Sequence, residues 1–173
     1  MAIVSYFDYD SASEEAKNEF DKQMQQNGLV TNMKKTLLHS VKAYRAYQQW
    51  YLLRDELIPI IGQRGVIIFS FAISSENECL LCSTYFRKAI SDLGENPDSF
   101  NLSSKEKILK DYGTQLVRDA NNISDDIYKK LKESFSDEEI VKLTAFAGIM
   151  IATNIFNSAL QINLDDYLNK LRY

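Results

Sequence analysis

The chain has two cysteines, and they stand as Cys-x-x-Cys in Glu78-Cys79-Leu80-Leu81-Cys82. On a helix, positions i and i+3 share a face, so the two sulfurs can close a short-loop disulfide or meet one substrate. A thiol near a helix N-terminus feels the macrodipole and the free amide N–H groups, which stabilise thiolate. That argument favours Cys79 as the more acidic of the two. Thiolate is the nucleophile, and a second thiol three positions away can resolve a mixed disulfide or a sulfenic acid. Spacing alone leaves open the ordinary alternative, in which both cysteines are small buried hydrophobes. A thioredoxin-like site would want a βαβ pattern and a Trp-Cys-Gly-Pro-Cys-like core around the pair. Neither is present.

The elements that must position this pair read as helices, so the expected fold class is all-α, a bundle of about six to eight helices. Ser13 to Gln26 carries Glu14 and Glu15 in its first turn and stops at Asn27-Gly28. Val41 to Leu57 has an aromatic face of Tyr44, Tyr47, Trp50 and Tyr51, and an apolar stripe continues through Leu53, Leu57 and Ile61. Packing is the first reading of that stripe and a ligand wall the second. Gly65 to Ser74 is apolar and β-branched. A lone strand among helices would leave its hydrogen bonds unmet, so a buried helix is expected there. The segment Glu76 to Leu93 would carry the cysteines at or near its start. Ser103 with Glu106, and Ser136 with Glu139, have capping-box spacing and open helices to about Ala120 and Leu160. A shorter helix begins near Ile123-Ser124, and a last one is expected from Leu164 to Leu171. No linker or repeat interrupts the chain. The expected organisation is one domain over residues 1–173, with residues 1–35 as an N-terminal arm and helix packed on the core.

Composition removes several function classes. The 173 residues are 45% hydrophobic and 25% charged, with a net charge of −4. That is ordinary for a globular chain, which at this length needs no disulfide or metal to hold a core. The basic runs are no longer than pairs such as Lys34-Lys35, so no nucleic-acid surface is expected. Cys79, Cys82 and His39 are too few ligands for a closed zinc site within one chain. A four-cysteine site between two copies stands as a minor alternative. No Gly-rich phosphate loop is present, so no nucleotide cofactor is expected, and no other cofactor is indicated. The opening MAIVSYFDYD has neither a basic region nor a long apolar run, so no signal peptide is expected and the expected compartment is a reducing cytoplasm. Leu143 to Leu164 is free of charge and long enough to span a bilayer. Its Thr, Asn, Ser and Gln residues favour instead a helix buried nearly all round, in the core or in a homo-oligomer interface.

The flanks of the cysteines add a resemblance. Ala72-Ile73-Ser74-Ser75-Glu76-Asn77-Glu78-Cys79-Leu80-Leu81-Cys82 resembles the A-[VI]-S-x-x-N-x-C-x-x-C signature of the carboxymuconolactone decarboxylase superfamily, in its alkylhydroperoxidase D-like, peroxidase-related branch. Leu93-Gly94-Glu95-Asn96-Pro97 is similar to the turn that follows the motif helix in that branch. Phe135 to Val141, with Asn154 to Leu160, is similar to its C-terminal helix, and Asp8 to Lys34 to its N-terminal arm. The resemblance implies an all-α bundle that reduces a small hydroperoxide or exchanges disulfides with a dithiol partner. It implies Cys82 as the attacking thiol and Cys79 as the resolving one, against the helix-end argument. It also implies a Glu–water–His proton relay, from which this chain departs. Phe86 stands where the histidine would be, and Ile67 where the glutamate would be. Low efficiency is therefore expected. Glu78, Glu76 and Tyr85 are the nearby groups that could substitute, and Phe86 is expected to line the pocket. The alternative function is a catalytically lapsed member that binds a ligand or senses redox state.

Overall fold

A computed structural model describes residues 2–169 of the chain. Among these residues the structure is all-helical: α1 Glu14–Asn27, α2 Asn32–Leu37, α3 Val41–Glu76, α4 Leu80–Asp92, α5 Ser104–Asp119, α6 Asp125–Ser134 and α7 Asp137–Ala159. Each begins where a side chain can accept the orphan N–H groups of a first turn. Ser13, Thr31, Ser40, Ser103, Ser124 and Ser136 do so for six of them. At Ser103 and Ser136 the capping box is complete, with Glu106 and Glu139 reaching back to the cap N–H. Helix α1 ends on Gly28, whose φ of 66° closes the last turn at no Cβ cost.

Helix α3 is the axis of the fold and packs most extensively on α5, α7 and α4. It joins two segments that the sequence reading separates, Val41–Leu57 and Gly65–Ser74, into a run of 36 residues. The join is a kink. Pro59 removes one backbone donor, and Gly62 adopts φ 73°, ψ 162°, a conformation outside the helical region. Gly65–Ser74 is helical, as expected, and its Phe69 and Ile73 are wholly buried with Phe146, Leu109, Leu131 and Leu143. Each such side chain stabilises the fold by about 1.5–3 kcal/mol through burial. Helix α5 approaches α3 closely at Gly113, where a Cβ would stand 3.0 Å from Ile73 and Phe69.

One helix was not foreseen, and two expectations change. The short α2 had no periodic signal in the sequence, because its 6 residues complete less than two turns. Within the single chain, helix α7 is not buried nearly all round as a core helix would be. It buries Leu143, Phe146, Ala147, Met150, Asn154 and Asn157 on one face, while Val141 and Ile155 are exposed on the other. Both α3 and α7 are long and apolar enough to cross a membrane by length and composition. The expected helix over Leu164–Leu171 is not formed over residues 164–168, and Asn169 is in 3₁₀ conformation. Residues 162–165 have no regular structure, residues 166–168 form a turn, and residues 170–173 lie outside the described residues.

The N-terminal arm is tied to the end of the chain. Asn32 N–H donates to Asp165 Oδ1 at 2.7 Å, and Ile3 N–H to Leu160 O at 3.0 Å. A second apolar cluster, Val30, Leu37, Leu38 and Tyr44, seats the arm against the start of α3. His39 lies just before the Ser40 cap, exposed, with its ring hydrogen-bonded to the Ser5 carbonyl.

Candidate functional site

The cysteines sit where α3 turns into α4. The sequence reading starts the α4 segment at Glu76. In the structure Glu76 instead closes α3, and Cys79 is the N-cap of α4. The turn is a Schellman motif. Cys79 N–H donates to Ser74 O at 3.1 Å and Glu78 N–H to Ser75 O at 3.1 Å. Its left-handed position is held by Glu78, at φ 53°, where glycine would be usual. Helix α7 ends in the same motif with Gln161 at φ 51°, its Ile162 N–H donating to Asn157 O. A non-glycine residue in this region costs roughly 1 kcal/mol. Both turns therefore carry strain beside the thiols.

Cys79 and Cys82 are free thiols, 1% and 3% exposed. The Cys82 backbone N–H donates to Cys79 Sγ at 3.3 Å, the ordinary capping bond with sulfur in place of oxygen. The Cys82 thiol also donates to Cys79, which lowers Cys79 to about 7. Burial opposes that shift, and the α4 backbone amides and Ser158 assist it. Donating its proton to Cys79, together with burial, holds Cys82 high. Its other partner is Asn157, whose Nδ2 donates to Cys82 Sγ at 3.1 Å and pulls the other way. The first proton the pair loses is therefore lost from Cys79, as the helix-end argument expects, and the remaining one lies between the two sulfurs.

A cleft lies on each side of the pair. Cys82 lines one of about 310 Å³ with Leu81, Tyr85 and Phe86 from α4, Trp50 and Tyr51 from α3, and Met150 and Asn157 from α7. Cys79 lines a separate one of about 280 Å³ with Glu78, Ser158 and Gln161. Leu81 and Asn157 border both. The accessory residues named from sequence are therefore divided. Tyr85 and Phe86 reach the Cys82 side, their rings edge to face at 5.1 Å. Glu78 is exposed on the Cys79 side. Glu76 is drawn away from the thiols, since Arg118 binds its carboxylate at 2.6 Å.

The two relay positions hold Phe86 and Ile67 rather than His and Glu. Phe86 is buried against the core, and Ile67 packs on the same cluster. Arg64, near the relay position in sequence, holds Glu95 and Glu106. Asp165 is the one carboxylate among the described residues lining the Cys82 cleft. Burial raises it despite the N–H of Asn32. Among the described residues no group of three or more His, Cys, Asp or Glu side chains could hold a metal ion. Lys34, Asp165 and the Asn157 contact were not singled out from sequence as site residues. The aromatic stripe of α3 was, with packing as its first reading and a ligand wall as its second. Tyr47, Trp50 and Tyr51 line the cleft while also packing, Trp50 on Phe146 at 5.2 Å and Tyr47 on Phe156 at 5.4 Å.

The arrangement is a helical bundle with a dithiol at a helix start, and solved structures share the bundle. A peroxidase-related protein from Silicibacter sp. TM1040 superposes with a TM-score of 0.76 at 17% identity, over 96% of this chain and 93% of that one. A peroxidase-related protein from Ralstonia eutropha JMP134, described as an alkylhydroperoxidase AhpD core, gives 0.74 at 15% identity, over 96% and 94%. No family model and no curated protein matches the sequence. The chain therefore has the alkylhydroperoxidase D-like fold.

Proposed function

We propose that the protein is a thiol-dependent oxidoreductase of the alkylhydroperoxidase D-like kind, reducing a small hydroperoxide or exchanging disulfides with a small dithiol. The observation that carries this reading is the buried dithiol at the start of α4, one sulfur bordering each cleft. A hydroperoxide in the larger cleft meets Cys82. Shifting the shared proton to Cys79 places the thiolate on Cys82, where the Asn157 N–H supports it. The thiolate attacks the terminal oxygen. An S–O bond forms, the O–O bond breaks, and the alkoxide takes up a proton and leaves as alcohol. Cys79 then attacks the Cys82 sulfur. An S–S bond forms, the S–O bond breaks, and hydroxide leaves as water after protonation. Two thiols and one hydroperoxide become a disulfide, an alcohol and water. An external dithiol is oxidised to its own disulfide when it restores the pair. With Phe86 and Ile67 in the relay positions, proton delivery is left to solvent and the shared proton. The rate should then fall about 10²–10⁴-fold below that of a site with a positioned acid and base.

The test is direct. Reduced protein is given a slight excess of cumene hydroperoxide, quenched in acid, and alkylated under denaturing conditions before mass spectrometry. The expected result is loss of both alkylation sites within minutes, abolished by Cys82→Ser. Thiols that remain alkylatable for hours would overturn this function in favour of a ligand-binding protein with the same fold.

A further inference from the structure

The cleft beside Cys82 contains a cation that the thiol chemistry does not use. Lys34 is 8% exposed. It lines the cleft from α2, facing Trp50, Tyr51 and Arg54 of α3. An ammonium has three N–H donors and, when buried, needs an anion or a full set of acceptors. Lys34 Nζ has one oxygen, Gln23 Oε1 at 2.7 Å, and the face of the Tyr51 ring at 4.6 Å. Among the described residues no carboxylate pairs with it, whereas Arg64 holds Glu95 and Glu106, and Lys142 holds Glu56 and Glu138. Asp165, in the same cleft, accepts instead from the Asn32 N–H. The neighbouring charge makes matters worse for Lys34. Arg54 stands over the same Tyr51 ring at 5.1 Å, and among the described residues Asp55 is the carboxylate that binds its guanidinium, at 2.6 and 2.8 Å. Two cations therefore converge on one aromatic wall. Burial and Arg54 together depress Lys34 to about 8, so it is still mostly charged at neutral pH.

We propose that this cleft is an anion-recognition site, which takes a small molecule whose carboxylate sits on Lys34 and Arg54 and whose apolar body lies along Trp50 and Tyr51 toward Cys82. The volume, about 310 Å³, is at the small end of the range for ligand pockets, about 300–1,000 Å³. Binding would supply the acceptors that Lys34 lacks. As a statement about the thiol substrate, a carboxylate-bearing hydroperoxide, the inference rests on the proposed function. As a statement about a binding site it does not.

The chain has one tryptophan, and Trp50 lines the cleft, so its fluorescence reports on occupancy. The probes are 4-phenylbutyrate and its neutral amide. The acid is expected to bind about tenfold or more tightly than the amide, the worth of one charge-assisted hydrogen bond. Lys34→Met should erase the preference, and Arg54→Gln should reduce it. Arg54 is partly exposed, so the second variant still reads out if the first fails to fold. Equal affinities for acid and amide in the unaltered protein would overturn the proposal, as would a preference that survives Lys34→Met. A second arm compares a fatty-acid hydroperoxide with its methyl ester as oxidants of the pair, with cumene hydroperoxide as the neutral reference. Faster oxidation by the acid, lost in Lys34→Met, supports the substrate assignment, and equal rates overturn it. If the acid binds but no hydroperoxide oxidises the thiols, the anion site stands and the redox function falls.

Discussion

Arg64 and Lys34 are both cations drawn out of solvent, and the fold treats them in opposite ways. Arg64 follows the Gly62 kink and holds Glu95 through two nitrogens, Glu106 through a third, and the Asn101 carbonyl at 2.8 Å. Its partners hold it firmly protonated, with Glu95 the larger contributor, then Glu106. Lys34 has a neutral amide and an aromatic face. The difference separates two uses of a positive charge. A saturated cation is a clamp, here binding α3 to the 95–101 loop and to the first turn of α5. A cation left short of acceptors costs stability, and that cost is tolerated where a ligand can complete it.

The first way to break this comparison is to remove the clamp. Arg64→Met leaves the half-buried Glu106 without its partner and should cost about 2 kcal/mol in urea unfolding, less than for a fully buried pair because solvent reaches the site. The preference for a carboxylate over its amide should be unchanged. A loss of that preference would mean that the two cations are not separate in function.

The pH dependence should divide the same way. Glu106 is held below the ordinary carboxylate value of 4.5 by Arg64 and Ser103, which outweigh its burial. Its contribution is present above that value and lost as pH falls below it. Lys34 has the opposite form. Its folded value, about 8, lies below the ordinary 10.5. Between the two the unfolded chain binds more protons, so Lys34 makes stability rise with pH across that window, by on the order of 3 kcal/mol. The groups facing it there are Arg54, Tyr44 and Tyr51 of α3 and Asp165 after α7. Burial raises both tyrosines, Tyr51 to about 12, so Tyr51 stays protonated across the window. Subtracting the curve of Lys34→Met isolates the Lys34 contribution. A flat difference from pH 8 to 10.5 would count against a desolvated ammonium.

At neutral pH Lys34→Met should stabilise the fold by about 1 kcal/mol, since an apolar side chain replaces a poorly paired charge of similar length. Thermal unfolding checks it, and a clear destabilisation would make Lys34 a structural residue like Arg64. The smallest effect is expected at the thiol turn, away from both cations. Glu78→Gly should change stability by less than about 1 kcal/mol, because relief of the left-handed strain is offset by the entropy of glycine. Glu78→Val should cost about 1 kcal/mol or more, because a β-branched side chain tolerates that conformation poorly.

Much of the fold was legible in residue order. The Ser103 and Ser136 boxes announced α5 and α7, and the apolar run from Gly65 to Ser74 was rightly read as helix despite its β-branched residues. The single α3 was not legible, because Pro59 and Gly62 are boundary signals in sequence, and only packing against α5 and α7 keeps the two halves in one element. The Schellman turn was hidden because Glu78 occupies the position where glycine would have signalled it. At the site, the Cys-x-x-Cys, Tyr85 and Phe86 could be named, since all lie on or beside one helix. Glu76 was named too, but Arg118 claims it from a helix far along the chain.

The sequence by itself determined the dithiol, its place at a helix start and the absence of a relay histidine and glutamate, because these depend on residue type and on spacings within a turn or two. Only the tertiary structure decided that Lys34, Arg54, Trp50 and Tyr51 meet beside Cys82, that Asn157 of α7 touches its sulfur, and that Glu76 pairs with Arg118. Those groups come from α2, α3, α4 and α7, and their meeting depends on how the helices pack. No local periodicity encodes it, and neither does it reveal the desolvation that packing imposes on a single lysine.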